Sequence, residues 1–139
     1  MSVEVPRNVR NNNPGNVDRT SIQWQGMSAL QSDPRFIVFT APQWGFRCAA
    51  RILMGHFREG LTSVHALINE WAPPSENNTS AYVTDVAKEM GVGLDETLSL
   101  PTQLLPMLKA IAHHEGGEEA GCPWPDSVVQ LGIDLERSA

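Results

Sequence analysis

The sequence is short of basic residues. Ten Lys and Arg face sixteen Asp and Glu, which leaves a formal net charge of −6. Binding a nucleic-acid backbone calls for a basic face, and these ten residues are scattered. Arg7, Arg10 and Arg19 come nearest to a cluster and read as a solvated N-terminal region. Nucleic acid is therefore not an expected partner. Long apolar runs are also missing. None approaches the ~18 residues of a membrane span, so no membrane partner is expected. The opening MSVEVPRNVRNNN lacks the apolar centre of a secretory signal, so export would need another route. Cysteine is scarce. Cys48 falls on an apolar helical face and reads as a small core residue rather than half of a disulfide, and Cys122 carries no pattern. Metal-ligand spacing is absent: His113 and His114 are adjacent and so face different ways on a helix, while His56 and His65 have no partner. No metal and no cofactor are expected. Repeats, linkers and low-complexity stretches are lacking, and 139 residues at 41% hydrophobic and 19% charged suit one globular domain over 1–139.

What is present is a change of period. Residues 1–20 are rich in Asn, Pro, Gly and Arg and read as irregular chain ordered by side-chain hydrogen bonds. Asn13-Pro14-Gly15-Asn16 is a turn signal. Residues 21–26 and 35–40 carry Ile, Trp, Phe and Val and read as two short strands of a small β element over 21–40, punctuated by Ser32-Asp33-Pro34. Residues 41–139 are helical. Thr40 is the expected N-cap of a helix with Pro42 in its first turn. Its apolar face is Phe46, Ala49, Ala50, Leu53, Met54 and Phe57, and Gly60 stops it. Thr62 is the expected cap of the next, whose inward face is Val64, Leu67, Ile68 and Trp71 and which Pro73-Pro74 ends. A third, capped by Thr79 or Ser80, turns Tyr82, Val83, Val86 and Ala87 inward up to Met90. Residues 95–100 are open to a short turn of helix. Pro101 or Pro106 begins the helix that carries Glu115, Pro123 and Pro125 bracket a Trp124 expected to be exposed, and 126–135 form the last helix.

The stretch 104–117, LLPMLKAIAHHEGG, is an apolar helix ending in a glutamate and two glycines. Glu115 there meets the negative end of the helix dipole and an apolar neighbourhood. Both favour the protonated form that a general acid uses. A solvated Glu beside Glu118 and Glu119 is the competing reading, and residue spacing leaves the two even. Gly116 is explained as a helix cap; a second glycine points to close approach by another chain or a ligand.

The segment Ala110-Ile111-Ala112-His113-His114-Glu115-Gly116-Gly117 resembles the catalytic helix end of goose-type lysozymes and lytic transglycosylases, with Gly116 in place of their usual serine. Asn11-Asn12-Asn13-Pro14-Gly15-Asn16 with Trp24-Gln25-Gly26 and residues 36–39 resembles the Asn-rich turn and β element of bacterial glucosaminidase and transglycosylase domains. Residues 71–79, WAPPSENNT, with Tyr82 beyond, resemble their aromatic-Ala-Pro segment. In that superfamily the acid-bearing helix precedes the Asn-rich turn, and here it follows. The chain therefore resembles a circularly permuted lysozyme-like domain, α+β and mostly α-helical with a small β element, of the kind found in small phage virion-associated proteins.

The resemblance implies cleavage of peptidoglycan glycan strands with Glu115 as general acid and base. Glu76, after two prolines and before a helix cap, is the candidate second carboxylate, although a helix N-terminal charge explains it as well. Asp18 is another. Candidate sugar contacts are Asn11, Asn12, Asn13, Asn16, Asn77 and His114 for hydrogen bonds and Trp24 and Tyr82 for ring faces. Each asparagine is equally explained by a local Asx turn, Trp44 and Trp71 read as core, and Tyr82 is also explained as a core tyrosine with a satisfied hydroxyl. Two carboxylates would set the stereochemistry by their separation. With one, the muramic acid C6 hydroxyl attacks and gives an anhydro product, or neutral groups position a water. A catalytically inactive tail, baseplate or virion component is the alternative, with virion proteins as partners. A secreted antibacterial wall toxin is a further one. Either way the protein is made in a bacterial cytoplasm and is virion-associated or delivered to the periplasm.

Overall fold

The computed structural model describes residues 5–75, 77–117 and 121–138. The order of elements is α1 (Arg7–Arg10), α2 (Pro42–Arg58), α3 (Val64–Trp71), α4 (Thr79–Met90), α5 (Leu100–Gly116) and α6 (Asp126–Arg137). The protein is thus mostly helical. The long helices fall where the 3.6-residue period puts them, and the buried faces of α2, α3 and α4 include the expected Phe46, Leu53, Val64, Leu67, Ile68, Tyr82, Val83, Val86 and Ala87.

α5 is the central element. Leu100, Leu104, Met107, Leu108, Ala110, Ile111 and Ala112 are all buried along it, and it contacts α1, α2, α4 and α6. Burial of each Leu, Ile or Met side chain stabilises by about 1.5–3 kcal/mol, so the helix that ends in Glu115 is fixed along its whole length. It starts at Pro101's turn and runs through Pro106. α6 lies close on α2: a Cβ at Gly132 would sit 2.5 Å from Phe46 Cβ and 2.9 Å from the Gln43 carbonyl oxygen. Trp124 is not the exposed residue expected. Its ring meets Phe46 edge-on at 5.3 Å and covers the margin of the core.

The caps differ from expectation by one residue each. Ala41 occupies the N-cap of α2 with no side-chain bond, and Thr40 Oγ1 donates instead to the Gly26 carbonyl at 3.2 Å. Ser63, not Thr62, caps α3, its Oγ accepting from the Ala66 N–H at 3.1 Å. Asn78, rather than Thr79 or Ser80, caps α4 through Oδ1 and the Ala81 N–H at 3.3 Å. Thr79 is buried and its hydroxyl donates to the Ala72 carbonyl. Residues 95–99 form no helical turn.

The two expected strands do not form as such. Among the described residues the only β features are isolated antiparallel bridges, Asp18 with Phe36 and Met27 with Phe39. Side chains take the bonds a ladder would use. Asn13 Nδ2 donates to the carbonyls of Val17 and Ile37 at 3.1 and 2.9 Å. Gln31 accepts from the Val38 N–H at 2.8 Å and donates to the Ser28 and Val38 carbonyls. Asp33 Oδ1 accepts from the Arg35 and Phe36 N–H groups, both at 2.8 Å. A second, smaller core forms beneath, from Ile37, Phe39 and Cys48 with Trp24, Met27, Trp44 and Ile52 against them. Cys48 is a core residue, and burial pushes its thiol up to about 12 despite Arg47. Both cysteines are free.

Asp33 organises this irregular half. It is buried, and its carboxylate also accepts from Arg7 Nε and Nη2, each at 2.6 Å, and from Asn11 Nδ2 at 2.9 Å. The Arg7 guanidinium first, then the Phe36, Arg35 and Asn11 donors, hold its carboxyl far below the usual range against the opposing effect of burial. A depressed folded value means that this contribution to stability is complete above the unfolded value of ~3.9 and is lost as pH falls below it. Urea unfolding between pH 7 and pH 2 should therefore show a steep acid loss in the parent protein and a flatter profile in Asp33→Asn. Parallel profiles would contradict this account.

Candidate active site

The N-terminal segment is tied to the end of α5 by Asn8. Its Nδ2 donates to the Pro14 carbonyl at 3.0 Å and to the Ala112 carbonyl at 3.1 Å. The Ala112 carbonyl lies just before the last four of α5, so the Asn8 amide adds a second donor to a carbonyl that is already within the helix ladder. The same contact explains Gly116: a Cβ there would lie 3.2 Å from Asn8 Oδ1. Gly117, at φ +97°, has open space around it. The expected roles are therefore exchanged: Gly117, not Gly116, is the helix cap, and the close approach is made at Gly116, by Asn8.

The turn that follows delivers Asn16 to Glu115. Asn12 and Asn16 take positive φ, 52° and 48°, which asparagine tolerates better than most residues. Gly15 is required by crowding, since a Cβ on it would fall 2.4 Å from the Trp71 ring. Asn16 Nδ2 donates to Glu115 Oε1 at 2.8 Å. The reversed amide would set an oxygen against the carboxylate, so charge fixes its orientation.

Tyr82, on α4, donates its hydroxyl to Glu115 Oε2 at 2.8 Å. Burial, and then the Glu115 charge, push the phenol well above its ordinary value, with a smaller opposing effect from Trp71. Tyr82 therefore keeps its proton. The His114 ring stacks on the Tyr82 ring at 3.8 Å, and its Nδ1 lies 3.2 Å from Asp85 Oδ2. Glu115 is partly buried. Each of its oxygens accepts one neutral hydrogen bond, and a stacked His–Tyr pair stands beside it. Such a carboxylate can take up and return a proton while its position is held.

Of the candidate residues, Glu115, Asn16, Tyr82 and His114 come together. Asn11 and Asn13 do not join them as sugar contacts. Both are buried, and their amides are engaged with Asp33, Val17 and Ile37. Asn12 donates to the Phe39 carbonyl at 3.0 Å. These three build the turn rather than meet a ligand. Trp24 packs into the smaller core. Asn77 is exposed, donates to the Pro73 carbonyl at 3.3 Å, and lines a separate groove near the start of α4 with Asn69 and Asn78. Asp18 is paired with Arg35 at 2.6 Å. Glu76, Glu118 and Glu119 lie outside the described residues. Asn8 and Asp85 are the residues that sequence reasoning missed. The spacing of Asp85 from Tyr82 on one helix, three positions, could have found the second.

Two depressions adjoin the cluster. One of about 130 Å³ is lined by Gly15, Asn16, Asp18, Glu70 and Trp71 among others. The other, of about 460 Å³, is lined by Asp85, Lys88, Glu89, His113 and His114. Among the described residues no three His, Cys, Asp or Glu side chains converge to hold a metal ion, and no helix is long and apolar enough to cross a membrane.

The chain is 39% identical over 100 residues to Protein P5 of Pseudoalteromonas phage PM2. That match takes in 69% of this chain and 62% of the phage protein, so the chain spans less than two thirds of its relative. No protein-family model matches the chain.

Proposed function

We propose that the protein is a phage-type murein glycosidase with a permuted lysozyme-like fold, in which Glu115 is the single general acid and base. The observation that carries this reading is the two-sided grip on Glu115: Asn16 Nδ2 on Oε1 and Tyr82 OH on Oε2, both at 2.8 Å. Three stretches that resemble the superfamily contribute to one cluster: Asn16 from the Asn-rich turn, Trp71 with Tyr82 from the aromatic-Ala-Pro stretch, and the end of α5. The similarity to a phage protein supports the phage setting.

In the proposed reaction protonated Glu115 gives its proton to the glycosidic oxygen, and the C1–O bond breaks. Among the described residues no second carboxylate is bonded into the cluster; Asp85 is reached only through His114. The one-carboxylate route therefore fits best. The muramic acid C6 hydroxyl attacks C1, its proton returns to Glu115, and the product is the 1,6-anhydro sugar. Tyr82 serves both protonation states, donating to the carboxylate and accepting from the acid.

The test is digestion of purified peptidoglycan with mass spectrometry of the released muropeptides. Anhydro products support the reading, and products with free reducing ends would move it to hydrolysis. Tyr82→Phe should lower turnover by roughly 100- to 1,000-fold, as loss of one positioned hydrogen-bond donor in a transition state does, with little change in stability.

One observation favours a second reading. Glu115 itself lines neither adjoining depression. In a catalytically inactive virion component the carboxylate would act as a clamp between the Asn-rich turn and α4. A folded protein that leaves peptidoglycan intact, and that loses stability when Glu115 is replaced, would select this reading.

A further inference from the structure

Two charged residues near the α2–α6 contact are largely buried. Arg47 is 8% exposed and Glu136 is 6% exposed. Arg47 Nε has no hydrogen-bond partner, and among the described residues no hydrogen bond or ion pair reaches the Glu136 side chain. The Glu136 carboxylate oxygens are not sealed in the core; they are left to the space beside α6.

Glu136 lines a groove of about 480 Å³ where α2, the start of α5 and the end of α6 meet. Arg51, Arg58 and Arg137 also line it, with Met54 and Leu104 as apolar surface. Arg51 and Arg58 are seven residues apart on α2 and share a face. Neither forms an ion pair among the described residues. Arg137 is anchored at the rim, its Nη2 donating to the Pro101 carbonyl at 2.5 Å. Three basic groups elsewhere are ion-paired, Arg7 with Asp33, Arg35 with Asp18 and Lys109 with Asp126; what sets the groove apart is that three arginines and one glutamate line the same space.

The ligand class follows from the charges. A simple anion suits the guanidiniums but sets an oxygen against Glu136, which only accepts. A simple cation meets three arginines. A small molecule with carboxylates and an ammonium on one frame satisfies both, and a groove of this size admits it. We propose that the groove is a binding site for an acidic α-amino acid, its carboxylates on Arg51, Arg58 and Arg137 and its ammonium on Glu136. The site opens at the N-terminal end of α5, whereas Glu115 stands at the other, so it does not depend on the proposed glycosidase reaction.

Titration of the ¹⁵N-labelled full chain with L-glutamate, N-acetyl-L-glutamate, acetate and inorganic phosphate tests it. Saturable shifts with L-glutamate at the amides of Arg51, Arg58, Glu136 and Arg137 are expected. N-acetyl-L-glutamate, which has no ammonium, should bind about 10-fold more weakly, as should acetate and phosphate. Glu136→Gln should abolish the preference for L-glutamate over its N-acetyl derivative, and Arg51→Ala with Arg58→Ala should weaken both. Equal binding of the two glutamates by the parent protein would reduce the groove to a plain anion site and overturn the proposal, whether or not the variants fold. Absence of saturable shifts up to about 20 mM L-glutamate would overturn it as well.

Discussion

Glu115→Gln should lower peptidoglycan cleavage by about 10³-fold or more while the protein stays folded. A positioned acid–base group contributes about 10²–10⁴-fold, and here one carboxylate is asked to act twice, first as donor and then as acceptor. Glutamine preserves the contacts in large part. Its oxygen can accept from Asn16 Nδ2, and its amide can donate to the Tyr82 hydroxyl, which also accepts. Thermal melting should therefore shift by only a few degrees. The pairing of measurements separates the two readings of the site. Lost cleavage with an intact melt belongs to catalysis. A lowered melt in a protein that never cleaved peptidoglycan belongs to a clamp. Retained cleavage would remove Glu115 from the reaction altogether.

The helices were legible because their signals are local and repeated. The apolar positions of α2, α3 and α4 recur every three or four residues, and the prolines and glycines that bound them act within one turn. The caps were misplaced by a single residue because Thr40 and Thr62 are good caps beside the residues that hold those positions. At α4 the error had a specific reason: Thr79 turns its hydroxyl back to the Ala72 carbonyl and leaves the cap to Asn78. The strands at 21–26 and 35–40 were overstated because propensity counts side chains, whereas Asn13, Gln31 and Asp33 compete for the backbone groups a ladder would bond. That competition is set by tertiary placement.

The site was legible in outline. Glu115, Asn16, Tyr82 and His114 were all candidates, and they meet. The sequence did not separate Asn16 from its neighbours. Asn11, Asn12, Asn13 and Asn16 look alike in one dimension, and only the positive φ at Asn12 and Asn16 and the course of the turn decide which amide points at the carboxylate. Asn8 was invisible for a similar reason: its partner at Ala112 lies 104 residues away.

That distant bond gives the second large prediction. Asn8→Ala should destabilise the protein by about 1–3 kcal/mol, because the Pro14 carbonyl loses a buried donor and the Ala112 carbonyl loses the bond that adds to its helical one. In a chain of this length the melting temperature should fall by roughly 10 °C. The bond also sets the distance between the Asn-rich turn and the end of α5, so the effect reaches the site. Below its melting point the variant should turn over peptidoglycan about 10-fold more slowly, since Asn16 would no longer be held at Glu115. Asn8→Asp distinguishes hydrogen bonding from packing. It fills the same space but turns oxygens toward both carbonyls, so at pH 7 it should destabilise at least as much as alanine. In acid, once the new carboxyl carries a proton, one of the two bonds can be remade and stability relative to the alanine variant should rise. If Asn8→Asp is as stable as the parent at neutral pH, Asn8 acts by filling space alone, and the tie between the turn and the catalytic helix must be sought in the Asn16–Glu115 contact itself.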